Sequence, residues 1–183
     1  MIQMSNKEVL RKKFKKKRSE LSRKDVLFRS DLINSKISDE EEFKKAKKIG
    51  CFYPIKNEPI INLPTDKLIY FPKISNEKLT YHLSTKKTLN NSYGIKEPDD
   101  DNPVELNQID LIIVPLLVFN ENLYRIGYGK GFFDKTFSNK NVGNKNIKLW
   151  GVCYDFQKSF LDFEEKFDVR LDKIITEEKI YVR

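Results

Sequence analysis

The stretch Arg125-Ile-Gly-Tyr-Gly-Lys-Gly-Phe-Phe-Asp134 gathers residue types that could handle a phosphate. Gly127, Gly129 and Gly131 alternate, and glycine lets the backbone take positive φ and approach a ligand closely. Successive amides freed in this way form a concave anion site. A helix starting near Gly131 adds the positive end of its dipole. Arg125 and Lys130 bring full positive charges, and Asp134 is the hard oxygen ligand that magnesium prefers. Together these groups describe a metal–phosphate site. The bare glycines would equally suit a hairpin carrying a surface lysine. No Gly-Lys-Ser/Thr follows at Walker A spacing, and the Gly-x-Gly-x-x-Gly dinucleotide pattern is absent.

Such a turn needs elements to position it. Ser5 and Glu8 have capping-box spacing and predict a first helix from about Asn6 to Leu21, with Val9, Leu10, Phe14 and Leu21 inward. Ser22 and Asp25 repeat the signal for a second helix carrying Val26, Leu27, Ile33 and Ile37. A short third helix is expected around Glu40–Lys47. Short strands follow at Ile49–Ile55, Leu68–Phe71 and Leu79–Leu83. Asn90–Val104 reads as a loop, and the apolar run Leu111–Phe119 as a central strand buried on both faces. After the glycine-rich turn come a helix from Gly131 to about Phe137, a polar loop at Ser138–Asn146, and strands at Leu149–Tyr154 and Lys173–Ile175. Helices interleaved with strands predict one α/β domain over residues 1–183: an open, largely parallel sheet with flanking helices and a basic helical region at 5–47. Ligands of such sheets sit beyond the carboxyl ends of the strands, where the Arg125–Asp134 turn falls.

A chain of 183 residues with 39% hydrophobic content supplies one real core rather than two. No apolar run approaches the ~18 residues of a membrane span, and the N-terminus lacks a signal-peptide core. Cys51 and Cys153 sit among apolar residues, as buried thiols do in a reducing compartment, so a cytoplasmic protein is expected. The net charge of +8 is concentrated between Arg11 and Lys24 and would attract polyanions of any kind: nucleic acid, nucleotide phosphates or polyglutamate tails. No nucleic-acid module accompanies it, and aromatic residues are not interleaved with the basic run. His82, the only histidine, has no partner at zinc-ligand spacing, and no Gly-x-Ser-x-Gly elbow is present.

The string from Arg125 to Asp134 resembles the signature of the 5-formyltetrahydrofolate cyclo-ligase family. Other segments resemble that family in the same order: Lys7-Glu-Val-Leu-Arg11, Ile49–Glu58, Tyr93-Gly-Ile-Lys-Glu-Pro98, Asp110–Phe119, Gly151–Gln157 and Asp168–Glu177. The resemblance implies a three-layer α/β/α fold of the NagB/RpiA/CoA-transferase-like kind and an ATP- and magnesium-dependent ring closure of 5-formyltetrahydrofolate. It implies ATP contacts from Lys7, Glu8, Val9, Leu10 and Arg11, and from Arg125, Ile126, Gly127, Tyr128, Gly129, Lys130, Gly131, Phe132 and Phe133. Lys130, Arg125 and Asp134 are the implied catalytic groups, Asp134 and Asp168 the magnesium ligands with Asp172 a weaker third, and Glu58 and Tyr53 the folate-binding residues. The implied partners are ATP and the folate, with or without a polyglutamate tail. A monomer is expected, with no specific nucleic acid and no membrane.

The chain departs from the family pattern at several points. Phe132 and Phe133 replace two tyrosines, Leu123 replaces a glycine, Phe167 replaces a frequent histidine, and the segment between Glu58 and Phe71 is short. The changes at Phe132, Phe133 and Leu123 keep open a non-catalytic relative that binds folate or nucleotide. A basic nucleic-acid-binding protein is a third reading. Taken alone, Lys7 and Arg11 could be solvated charges on one helix face. Likewise Glu58 could be a loop acid, Asp168 and Asp172 turn carboxylates, and Tyr53 core packing.

Overall fold

The computed structural model describes residues 5–85, 87–138 and 147–182. Both capping boxes form. Ser5 Oγ accepts from the Glu8 amide and Glu8 returns to the Ser5 amide, starting α1 (Asn6–Ser19). Ser22 and Asp25 do the same for α2 (Arg23–Asp39), and α3 (Glu41–Lys45) follows.

Twelve strands succeed them: β1 (Lys48–Gly50), β2 (Leu68–Ser75), β3 (Lys78–Leu83), β4 (Thr88–Asn90), β5 (Lys96–Pro98), β6 (Pro103–Val104), β7 (Leu111–Pro115), β8 (Val118–Phe119), β9 (Arg125–Ile126), β10 (Lys148–Val152), β11 (Lys173–Ile175) and β12 (Ile180–Val182). Helix α4 (Phe132–Phe137) lies between β9 and β10. Eight strands form the main sheet, ordered β12-β11-β10-β7-β1-β2-β3-β6. The run from β11 through β2 is parallel, and the strands at both edges pair antiparallel.

Strand β7 shows why the centre is apolar throughout. Leu111 and Ile113 face a core with Ile33 and Ile37 of α2 and Phe43 of α3, while Ile112 and Val114 face one with Phe137 of α4. Alternate residues thus enter opposite layers, as the two-residue period of a strand requires. Among the described residues the second face is covered by α4 and by chain outside the main sheet, including Leu116, Val169 and Leu171. Helix α1 packs Leu10 and Phe14 against Leu117, Val118 and Ile126.

Several expected boundaries move. The apolar run Leu111–Phe119 is two strands, not one. It leaves the sheet after Pro115, and β8 pairs with β9 as a separate hairpin. At the bend, side chains take the carbonyls: Gln157 donates to Leu116 O and Leu117 O, and Arg18 to Leu116 O. The strand expected at Ile49–Ile55 stops pairing early, because Pro54 has no amide and Lys56 and Asn57 turn through φ 48° and 60°. The Asn90–Val104 loop contains the β4–β5 hairpin and β6, and β12 was not expected. Beyond Ser138, the polar loop expected to Asn146 lies outside the described residues. Among the described residues no helix is long and apolar enough to cross a membrane.

Candidate phosphate and folate site

The β8–β9 hairpin delivers the glycine-rich turn. Leu123, at its tip, takes φ 63°, a conformation that costs a non-glycine residue ~1 kcal/mol or more. Its side chain is 1% exposed within the core, and that burial offsets the cost. A leucine thus holds a left-handed position that glycine would take without strain. Beyond Arg125 and Ile126 the chain passes Gly127 and reaches Gly129 at φ 97° and Gly131 at φ 70°, where α4 begins. Gly127 has no positive φ and open space around it, so only two of the three glycines are required by the backbone.

Helix α1 lies across this turn. Arg11 Nε donates to Gly127 O at 3.1 Å, and a Cβ on Gly129 would stand 3.3 Å from the Arg11 guanidinium carbon. One turn earlier, Lys7 Nζ meets Asp168 Oδ2 at 2.6 Å and Glu165 Oε1 at 3.3 Å. Asp168 Oδ2 also accepts from the Glu165 amide at 2.8 Å. Arg11 is therefore engaged at the turn and Lys7 with Asp168 and Glu165, rather than simply solvated. Glu8 closes the capping box and lines the groove, Val9 is exposed, and Leu10 enters the core with Ile126, so within Lys7–Arg11 it is Arg11 whose side chain hydrogen-bonds the turn. A groove of about 700 Å³ runs beside it, lined by Glu8, Arg11, Lys12, Lys15, Lys16, Ser19, Leu117, Tyr128 and Gly129.

Arg125 points inward. Its Nη2 donates to Asp134 Oδ1 at 3.0 Å, its Nη1 to Val169 O at 3.1 Å, and its guanidinium lies 3.8 Å from the Phe133 ring centre. Burial draws the guanidinium below its usual pKa, against the pull of Asp134 and Asp168. Asp134 Oδ1 accepts a second bond from the Val169 amide at 3.0 Å. Asp134, expected from its type as a magnesium ligand, also anchors a buried cation. Phe133, where a tyrosine would bring a hydroxyl, serves as the apolar floor under Arg125. Lys130 is exposed, with Nζ 5.2 Å from the Tyr93 ring centre, and Phe132 packs near the same ring. Phe167 is exposed.

The other half of the site is at the carboxyl end of β1. Tyr53 is half-buried and stacks on Phe71 with ring centres 4.0 Å apart. Glu58 is 3% exposed, Oε2 accepts from the Ile55 amide, and among the described residues Oε1 has no hydrogen-bond partner. Burial pushes its carboxyl up to about 7, with Arg18 acting in the opposite direction. Arg18 is 1% exposed and was hidden in the basic run of the sequence. The spacing 7, 11, 14, 18 puts it on the same inward face of α1 as Lys7, Arg11 and Phe14, and that stripe was the signal available.

Magnesium binds through one or two carboxylates plus substrate phosphates and water, not a protein cage. Asp134 and Asp168 are the carboxylates here that could serve so: the Val169 amide bonds Asp134, and both carboxylates act on Arg125. Asp172 is placed differently, accepting from the Leu149 amide at the start of β10. Among the described residues no three His, Cys, Asp or Glu side chains are gathered as a metal cluster.

An open α/β sheet with a cationic, glycine-rich turn beyond its strand ends is the architecture of a phosphate-handling enzyme. The profile of the 5-formyltetrahydrofolate cyclo-ligase family matches residues 3–177, and this chain belongs to that family. The 5-formyltetrahydrofolate cyclo-ligase of Mycoplasma pneumoniae is 33% identical over 175 residues, covering 94% of this chain and 99% of the relative. The solved 5,10-methenyltetrahydrofolate synthetase of Aquifex aeolicus superposes with a TM-score of 0.80 at 28% identity, over 96% of this chain and 92% of that one. The solved synthetase of Mycoplasma pneumoniae gives 0.77 at 26%, over 94% and 99%.

Proposed function

We propose that this chain closes 5-formyltetrahydrofolate to 5,10-methenyltetrahydrofolate at the expense of ATP, using the groups described above. An N5-formyl amide is a weak electrophile because nitrogen feeds electrons to its carbonyl. The formyl oxygen attacks the γ-phosphorus of ATP, the bond to the bridging oxygen breaks, and ADP leaves. N10 then adds to the activated formyl carbon. Phosphate departs with the formyl oxygen, N10 loses its proton, and the methenyl bridge remains. No covalent enzyme intermediate is needed, so the protein's task is positioning and charge neutralisation.

The turn amides at Gly129 and Gly131, with Lys130 and Arg11, hold the phosphates. Lys7 and Arg125 orient the carboxylates of Asp168 and Asp134. Those two carboxylates would hold magnesium, which when bound neutralises phosphate charge. Glu58 binds the pteridine edge through the carboxylate oxygen that lacks a partner, and Tyr53 lines the ring pocket. Lys12, Lys15 and Lys16 along the groove favour substrates with a polyglutamate tail. Two buried free thiols suit a cytoplasmic setting.

The observation that carries this reading is the placement of Arg11 across the glycine turn, with Lys7 on Asp168 beside it. The test is turnover: purified chain, 5-formyltetrahydrofolate, ATP and magnesium should give methenyltetrahydrofolate absorbance that needs all three additions. Tight folate binding without product would mark a non-catalytic relative and refute the proposal.

A further inference from the structure

The mechanism above leaves a buried arginine unused. Arg18 is 1% exposed at the last turn of α1 and spans three parts of the fold. Its Nε donates to Lys56 O at 3.0 Å, on the left-handed turn that precedes Glu58. Its Nη1 donates to Leu116 O at 3.2 Å, at the bend where β7 leaves the sheet. Its Nη2 bonds the hydroxyl of Tyr128, within the glycine-rich turn. The same Nη2 is 3.6 Å from Glu58 Oε1, too far for a formed hydrogen bond. The carbonyl of Arg18 accepts from Asn57, which fixes the same turn from the other side. A guanidinium has a rigid fork of donors, and here each branch holds a different segment.

We propose that Arg18, with Tyr128, is the positioning residue that presents the Glu58 carboxylate to the folate and ties it to the phosphate turn. The inference rests on Glu58 as the folate-binding carboxylate. Three observations support it. Among the described residues Glu58 Oε1 is buried with no well-formed hydrogen bond, faced only by Arg18 Nη2 at 3.6 Å and the Tyr128 hydroxyl, which leaves this oxygen able to accept from a ligand. Arg18 holds the turn just before the carboxylate, through Lys56 O and the Asn57 side chain, while stopping short of capping that oxygen. Tyr128 belongs to the phosphate turn, yet its hydroxyl is directed to Arg18 and Glu58 rather than to solvent. Burial and the Glu58 charge push its pKa up to about 12.

The groups facing Glu58 are Arg18 from α1, Lys56 from its own turn and Tyr128 from the glycine turn. All three favour the ionised carboxylate against burial. Losing Arg18 or the Tyr128 hydroxyl therefore raises the pH at which Glu58 becomes a carboxylate and weakens folate binding at neutral pH.

The test measures the KM and kcat for each substrate, and folate affinity from pH 5.5 to 9, in full-length Arg18→Lys, Tyr128→Phe and Glu58→Gln. Arg18→Lys and Tyr128→Phe should raise the folate KM at pH 7 roughly tenfold, the effect of losing one hydrogen bond to a charged group. kcat at saturation should change little, and in Tyr128→Phe, which loses a hydrogen bond to the carboxylate whereas Arg18→Lys keeps the charge, the acid limb of folate affinity should move to higher pH. A purely structural role would lower the yield of active protein without moving that limb. Should Arg18→Lys fail to fold, Tyr128→Phe, which removes only a hydroxyl, decides. If Glu58→Gln loses folate affinity while both other variants keep the wild-type KM and acid limb, the positioning role is wrong and the folate assignment stands. If Glu58→Gln binds folate normally, both fall.

Discussion

Replacing Glu58 with glutamine should stabilise the protein at alkaline pH while weakening folate binding. The folded-state carboxyl is raised from 4.5 to about 7, chiefly by burial. Between those two values the unfolded chain has released its proton and the native chain has not. Stability contributed at this position therefore falls as pH rises through that window, and is fully lost above the folded value. At ~1.4 kcal/mol per unit, the rise corresponds to about 3 kcal/mol. Glutamine resembles the protonated acid and carries no such cost. Urea unfolding of wild type and Glu58→Gln, run side by side from pH 4 to pH 9, should give matching stabilities near pH 4. The variant should gain steadily from about pH 5 and lead by about 3 kcal/mol above pH 8. Groups common to both proteins cancel in the difference. Parallel curves across the range would show that Glu58 is not held in a desolvated pocket, and its role as a buried substrate carboxylate would lose its physical basis.

Asp134→Ala should destabilise the fold by about 3 kcal/mol, because it strands the buried Arg125 guanidinium. Asp134→Asn keeps an acceptor for Arg125 and Val169 and should fold better while turning over poorly, which chemical denaturation and steady-state rates would separate. Gly129→Ala should raise the KM for ATP by tenfold or more, since φ 97° and the Arg11 guanidinium both resist a Cβ. Gly127→Ala meets nothing within 4 Å and should leave the ATP dependence near wild type; equal effects of the two substitutions would mean that the turn is shaped otherwise.

Much of the fold was legible because its signals are local. Ser5–Glu8 and Ser22–Asp25 fix two helix starts with hydrogen bonds made within four residues, and both formed. The strand Lys173–Ile175 was delimited by its own apolar run. What escaped depends on distant partners. The break between β7 and β8 is stabilised by Gln157 and Arg18, more than 39 residues away in either direction, and the local sign of it within Leu111–Phe119 is Pro115, which cannot donate to a ladder. The edge strand β12 exists because β11 offers it a partner. At the site, residue types gave the turn and its cations, whereas the inward turn of Arg125 onto Asp134 and Val169 required the folded chain. Arg18 shows the same limit. Its helical spacing was present, but a lysine-rich neighbourhood concealed a cation that is 1% exposed.

The most direct test follows one oxygen atom. In a reaction with 5-formyltetrahydrofolate carrying ¹⁸O in its formyl group, ATP and magnesium, phosphoryl transfer to that oxygen predicts inorganic phosphate bearing one ¹⁸O for each methenyltetrahydrofolate formed. Unlabelled phosphate, with the heavy isotope released into water, would show that ATP is cleaved apart from the formyl group and would contradict the account.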